Sequence, residues 1–162
     1  MAIYMEYEGL KGNVTAAGYE GMIRLDFAVL RATRDVSMTA GQLANREFTL
    51  PKFGVVETGK RLDGSTVGIL RECVAGAGGK SVKLHFVYTG HNQLQEFMTY
   101  SFRHCLPTYY RCVATKREGG VPAERLYFSY SRVEVSYRTR GADNKTATTE
   151  RVGYDVVAAK RL

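Results

Sequence analysis

Cysteine is scarce in this 162-residue chain, and the three present, Cys73, Cys105 and Cys112, form an odd set with no paired spacing. That argues against a disulfide framework and for thiols kept reduced in a cytoplasm, where the chain is expected to fold. Long apolar runs are missing as well. Gly, Asn, Asp or a charge interrupts each of them short of the roughly 18 residues a membrane span requires, so no stable membrane insertion is expected. The first thirty residues carry Glu6, Glu8, Glu20 and Asp26 where a signal peptide needs a basic start and an apolar stretch, which excludes export by the ordinary secretory route. Proline occurs three times and tryptophan not at all, against eleven tyrosines, seven phenylalanines and seventeen glycines. This is the composition of strands and turns.

Signatures of chemistry are lacking too. No nucleophile elbow, phosphate loop, dinucleotide fingerprint or His-Glu-x-x-His helix occurs. The glycine-rich stretch Ala75 to Lys80 resembles a phosphate loop only superficially, because it follows a helical pattern rather than a strand and has the wrong spacing. His104, Cys105 and Cys112, with His85 or His91, are soft ligands by type. Their spacing fits no zinc pattern, and successive residues of a strand point to opposite faces, so His104 and Cys105 do not aim at one metal. Cys73 sits on an apolar helical stripe and reads as a small core residue. No catalytic residue, cofactor or metal site is therefore assigned.

What is present begins with charge. The chain carries 23 Lys and Arg against 16 Asp and Glu, a net +7 that is concentrated in residues 31–62 and 101–140 while residues 1–30 are net acidic. A diffuse basic excess attracts nucleic acid, anionic lipid or acidic protein without choosing among them.

Period-2 alternation dominates the pattern. Ile3, Met5 and Tyr7 predict a first strand, closed by a turn at Gly9 to Gly12. Met22 to Arg31 predicts a second, with Ile23, Leu25, Phe27 and Val29 inward and Arg24, Asp26, Ala28 and Leu30 on the other face. Residues 33–52 follow neither period and predict a projecting loop too long for a plain connection. Strand character resumes at Phe53, Val55 and Val56 and runs to Lys60. A helix over about 65–75 follows, capped by Ser65 or Thr66, with Ile69, Leu70, Cys73 and Val74 on its apolar stripe and Gly76 at its end. Val82 to Tyr88 and Leu94 to Phe102 predict a hairpin around Gly90-His91-Asn92, and Tyr110, Cys112 and Ala114 a further strand. In Glu124 to Arg138 the apolar phase moves from Leu126, Phe128 and Tyr130 to Val133, Val135 and Tyr137, predicting a β-bulge near Ser131-Arg132. After a turn at Asp143-Asn144, Val152, Tyr154 and Val156 close the chain. Eight or nine strands and one helix predict a single domain over 1–162, mainly β, an antiparallel barrel or sandwich. Basic strands with interleaved tyrosines, such as Tyr127, Tyr130, Arg132, Tyr137 and Arg138, leave a basic β-barrel that binds nucleic acid or a small ligand as an alternative reading.

The order of these elements is similar to a known family. The opening Ala2 to Gly12, followed by Gly18-Tyr19-Glu20-Gly21-Met22-Ile23-Arg24-Leu25-Asp26, resembles the start of Hcp (haemolysin-coregulated protein) chains, where a Lys-Gly turn leads into a Gly-x-Ile/Leu-x-Leu strand. Leu62-Asp63-Gly64-Ser65-Thr66 is similar to the family's helix start, with Val67 where Pro is common. Glu124 to Tyr137 resembles its Glu-x-hydrophobic strand with a late phase change, and Val152-Gly153-Tyr154-Asp155 its closing strand.

The resemblance implies a two-sheet β-barrel with one flanking helix, related to phage tail-tube proteins. It implies six copies closing into a ring and rings stacking into the inner tube of type VI secretion. The implied partners are the contractile sheath, the spike and effector proteins carried in the lumen, with no nucleic acid, no cofactor and no enzyme activity. It further implies a subunit that folds in the bacterial cytoplasm and is expelled from the cell. No appended toxin domain is expected after Leu162. In such a ring, Arg24, Arg31 and Arg34 are the candidates for facing acidic cargo in the lumen, and Met38, Gln42, Arg46, Glu47 and Phe48, on the projecting loop, for stacking between rings.

Overall fold

The computed structural model describes residues 1–36, 40, 49–76, 78–90, 93–115, 120–140 and 146–162. Among them are twelve strands, more than the alternation alone separates, and one helix: β1 (Ala2–Tyr7), β2 (Ile23–Leu25), β3 (Phe27–Val29), β4 (Ala32–Thr33), β5 (Lys52–Phe53), β6 (Val56–Arg61), α1 (Thr66–Ala75), β7 (Lys80–Gly90), β8 (Gln93–Val113), β9 (Ala123–Ser129), β10 (Arg132–Arg140), β11 (Thr146–Asp155) and β12 (Lys160–Arg161). Met38, Gln42, Arg46, Glu47 and Phe48 lie outside the described residues, as do His91, Asn92, Asp143 and Asn144 of the expected turns.

All pairings are antiparallel. A first sheet runs β12-β11-β10-β8-β7-β1-β2, and a second joins β3 to β6, β6 to β9 and β9 to the distal half of β8. Only Asp26 separates β2 from β3, so the pairings run round a barrel: β1, β7, β8, β9, β6, β3 and back through β2. Its interior is filled by Met5, Ile23, Val56, Ile69, Val82, Leu84, Phe102, Cys105, Leu126 and Phe128, all fully or nearly fully buried.

The two places where the chain changes sheets account for two differences from the sequence reading. Met22 to Arg31 is not one strand with one phase. The N–H of Asp26 donates to the carbonyl of Gly59 (2.7 Å), which bends the chain from the first sheet into the second. The phase flips there: Ala28 and Leu30 pack against the core, and Phe27 turns to the outer face. Likewise, the late phase change is no bulge within a continuous strand. β9 ends at Ser129 and β10 begins at Arg132 on the other sheet, with the Ser131 N–H donating to the carbonyl of Arg103 (3.0 Å). Opposite this corner His104 adopts φ +52° and its Nδ1 lies 2.6 Å from the hydroxyl of Ser131. β8 therefore kinks without stopping, and the residues read as a separate strand at Tyr110 to Ala114 include the last part of its 21-residue run.

The helix differs in its cap and its stripe. Ser65 holds the N-cap position, but its side chain makes no capping bond: the Asp63 carboxylate accepts the Ser65 N–H (2.9 Å), while the Thr66 hydroxyl accepts the Asp63 N–H in return (3.1 Å). This is the reciprocal arrangement of a capping box. Of the expected stripe only Ile69 is buried; Leu70 is exposed and Val74 is 80% exposed, because the ten-residue helix flanks the barrel and meets β8 along one line. Gly76 closes it in the left-handed region at φ +63°.

The ends of the 33–52 segment are not irregular. Ala32 and Thr33 pair with Phe53 and Lys52, and Lys52 bonds Asp35 at 2.5 Å. Phe53 stacks on Tyr154 (ring centroids 5.0 Å apart), which anchors this ribbon to β11.

Candidate functional site

The strongest polar cluster sits inside the barrel mouth beside the start of α1. β6 alternates inward at Val56, Thr58 and Lys60, and β9 at Glu124, Leu126 and Phe128, so Lys60 and Glu124 occupy core-facing positions. Lys60 is 4% exposed and Glu124 2%. The Lys60 ammonium bonds the carboxylates of Glu124 and Asp63 (2.8 Å to the latter), the Thr66 hydroxyl (3.3 Å) and the Arg61 carbonyl (3.1 Å). Glu124 also accepts from the hydroxyls of Thr66 (2.9 Å) and Tyr110. Burial, and then the hydrogen bond to Glu124, push the Tyr110 hydroxyl's pKa upward, so it stays a donor. Every charge here has a partner, so the cluster acts as a lock between β6, β9, β8 and α1 and offers no free acid or base. Sequence reading passed over these residues. The signal was their phase: charged residues at positions where the flanking alternation points inward.

The lumen candidates are exposed and are not gathered at one point. Arg24 pairs across from Tyr4 and lines an open cavity of about 630 Å³ with Asp26, Arg61, Asp63 and Asn13. Arg31 lies 3.9 Å from Glu57, a carboxylate it shares with Arg125, and Arg34 lies on the solvent side after β4. Arg24 shares its cavity with Arg61 at the end of β6, whereas Arg31 reaches Glu57 near the start of that strand. Arg31 thus pairs with Glu57 and not with Asp26 or Asp35.

The outer face of the first sheet carries a second concavity, of about 430 Å³, lined by Glu6, Glu8, Lys83, Arg103, Arg132 and Glu134. Charges of both signs alternate along it, and Ser81 donates its N–H (2.8 Å) and hydroxyl (3.0 Å) to Glu8, which lowers that carboxyl's pKa.

The thiols are divided by burial. Cys105 is fully buried, and desolvation lifts its pKa to about 12, which keeps it an unreactive thiol. Cys112 is exposed and Cys73 intermediate. No group of three or more His, Cys, Asp or Glu side chains among the described residues is placed to hold a metal. Nor is any described helix long and apolar enough to cross a membrane.

The family described as "Type VI secretion system effector, Hcp" matches residues 4–137. No curated protein matches the chain. Similar solved structures include a type six secretion system protein (TM-score 0.89, 20% identity, 99% of each chain covered) and Hcp1 from Salmonella typhimurium (0.79, 17%, 99% of this chain and 98% of that one). A type VI secretion system effector from Yersinia pestis is also similar (0.74, 15%, 95% and 99%). At these identities the likeness speaks for the fold.

Proposed function

The chain belongs to the Hcp family of the type VI secretion system, and we propose that it is a subunit of that system's inner tube, six copies closing into a ring and rings stacking end to end. It is a secretion component and not an enzyme. The observation that carries the proposal is the family match across most of the chain, from Tyr4 to Tyr137. In this reading the subunit folds in the cytoplasm, meets the sheath and spike, and leaves the cell with the expelled tube. The same barrel extended by long strands gives the broad, solvated walls that a wet pore requires. A particle near six times 18.1 kDa, annular in negative stain, is the expected form of the purified protein; a monomer or dimer at assembly concentrations would overturn the ring.

We further propose that Arg24, Arg31 and Arg34 bias the lumen toward acidic effectors. Six-fold repetition multiplies each charge within a confined space, where fields are focused. Arg24 and Arg34 are the stronger carriers, because Arg31 is already engaged by Glu57. Replacing each singly with Glu should reduce retention of an acidic effector by intact rings; unchanged retention in the Arg24→Glu and Arg34→Glu rings sinks the assignment.

A further inference from the structure

The outer face of the second sheet gathers cations and aromatic rings in register. In one row Phe27 of β3 stands opposite Gly59 of β6, Gly59 opposite Arg125 of β9, and Arg125 opposite Arg111 of β8. In the next row Val29, Glu57, Tyr127 and Tyr109 face one another in the same order. The Phe27 ring lies over the bare backbone of Gly59, where a Cβ would come within 2.1 Å of it. The Arg125 guanidinium sits over that ring, 5.5 Å from its centre, and bonds Glu57 at 3.1 Å. Arg111 is exposed beside it with no acidic partner among the described residues. Like charges directly opposite on neighbouring strands destabilise a sheet. Among the described residues Arg125 pairs with one carboxylate, Glu57, and Arg31 draws on the same one.

We propose that this face, centred on Arg111 and Arg125, is a docking surface for an acidic polypeptide segment. An incoming aspartate or glutamate relieves the Arg111–Arg125 repulsion, and the guanidinium fork suits a carboxylate in bidentate geometry. The half-exposed tyrosines beside the pair supply apolar area and hydroxyls.

Nucleic acid is the competing occupant of a basic, aromatic sheet, and the rings argue against it. A single-strand platform presents open ring faces on which bases stack. Here Tyr109 and Tyr127 stack on each other (4.8 Å between centroids, 31° between planes), and the face of Phe27 is covered by Gly59 and Arg125. The surface belongs to the subunit's own sheet and depends neither on the ring nor on the lumen assignment of Arg24 and Arg34.

The test is fluorescence anisotropy of the full chain with a labelled oligoglutamate of about ten residues and a labelled oligothymidylate of matched charge, with particle mass recorded in parallel. Oligoglutamate should bind, and bind more tightly than oligothymidylate. Arg111→Gln should weaken it about tenfold, the loss of one charge-assisted contact. Arg111→Glu should weaken it further. Arg151→Gln, the same change of charge on exposed β11, should leave the affinity within about twofold. Arg111 has no acidic partner among the described residues, so its variants should keep the parent's unfolding temperature. The proposal is overturned if oligoglutamate does not bind, if Arg111→Gln and Arg151→Gln behave alike, or if oligothymidylate binds more tightly. A change in particle mass alone would speak to the ring and not to this surface.

Discussion

Lys60 brings one positive charge into the barrel mouth, where Glu124 and Asp63 bring two negative ones, and almost no water reaches them. Such a cluster adds little net stability over apolar packing, but it is unforgiving of incomplete removal. Lys60→Met leaves two carboxylates facing each other without a counter-charge and should cost about 3–5 kcal/mol in urea unfolding. Adding Glu124→Gln to that variant should restore part of the loss, since the amide carries no charge and its one oxygen still accepts from either Thr66 or Tyr110. Strictly additive losses would show that the two residues do not act as a pair. This site was legible only in part. The alternation around Leu126 and Phe128 placed Glu124 on the inward face, but nothing local to either residue named Lys60 as its partner at a separation of 64 positions in the chain. Thr66, expected as a possible cap, serves both the cap and the cluster.

At the scale of elements, the clean alternations of β1 and β7 were readable because each has one buried and one solvated face. Even there, Tyr4 is buried out of phase because the Tyr19 ring folds over it at 5.1 Å. In β7 a register shift between Phe86 and Val87 buries both. Sheet-switching was illegible as such. At Tyr130-Ser131 the sequence carries a phase change, and period alone does not distinguish a bulge from a corner where two sheets meet; at Asp26 the run Phe27-Ala28-Val29-Leu30 is apolar throughout, which hides the change of phase. Within the continuous β8, Pro107 sits buried at a register shift, one of the few strand positions that tolerates proline. Gly59 gives this scale its prediction. A methyl group there meets three atoms of the Phe27 ring at 2.1–2.7 Å, so the ring must leave and Arg125 loses its seat. Gly59→Ala should destabilise the chain by about 1–3 kcal/mol despite alanine's lower backbone entropy. Gly78→Ala, with open space around its Cβ, should be close to neutral. Equal thermal stability of the two variants would show that the ring is not fixed over Gly59.

For the whole molecule, the question left to the chain's longest irregular stretch is what a segment of that length does in a tube. Its base is built: β4 and β5 pair, Lys52 bonds Asp35, the Thr49 hydroxyl donates to the Asp35 carbonyl (2.7 Å), and Phe53 packs on Tyr154. The pairing of Ala32 and Thr33 with Phe53 and Lys52 holds the two ends of the segment together, and loop-closure entropy opposes length only weakly, so a long segment there is inexpensive to keep. We therefore expect it to act between subunits, with Met38, Gln42, Arg46, Glu47 and Phe48 contacting the next ring. Replacing residues 37–48 by an Asn-Gly turn leaves the Thr49–Asp35 bond and the ribbon in place, and Asn-Gly is the preferred two-residue link between antiparallel strands. The shortened chain should unfold at the parent's temperature, within a few degrees, because the core residues Met5, Ile23, Val56, Leu84, Phe102 and Phe128 all lie outside the deleted stretch. It should still close into single rings, while the fraction of stacked rings in negative stain falls. Stacking equal to the parent's would reject the inter-ring role, and loss of the single ring would move the same residues to the contact between neighbouring subunits.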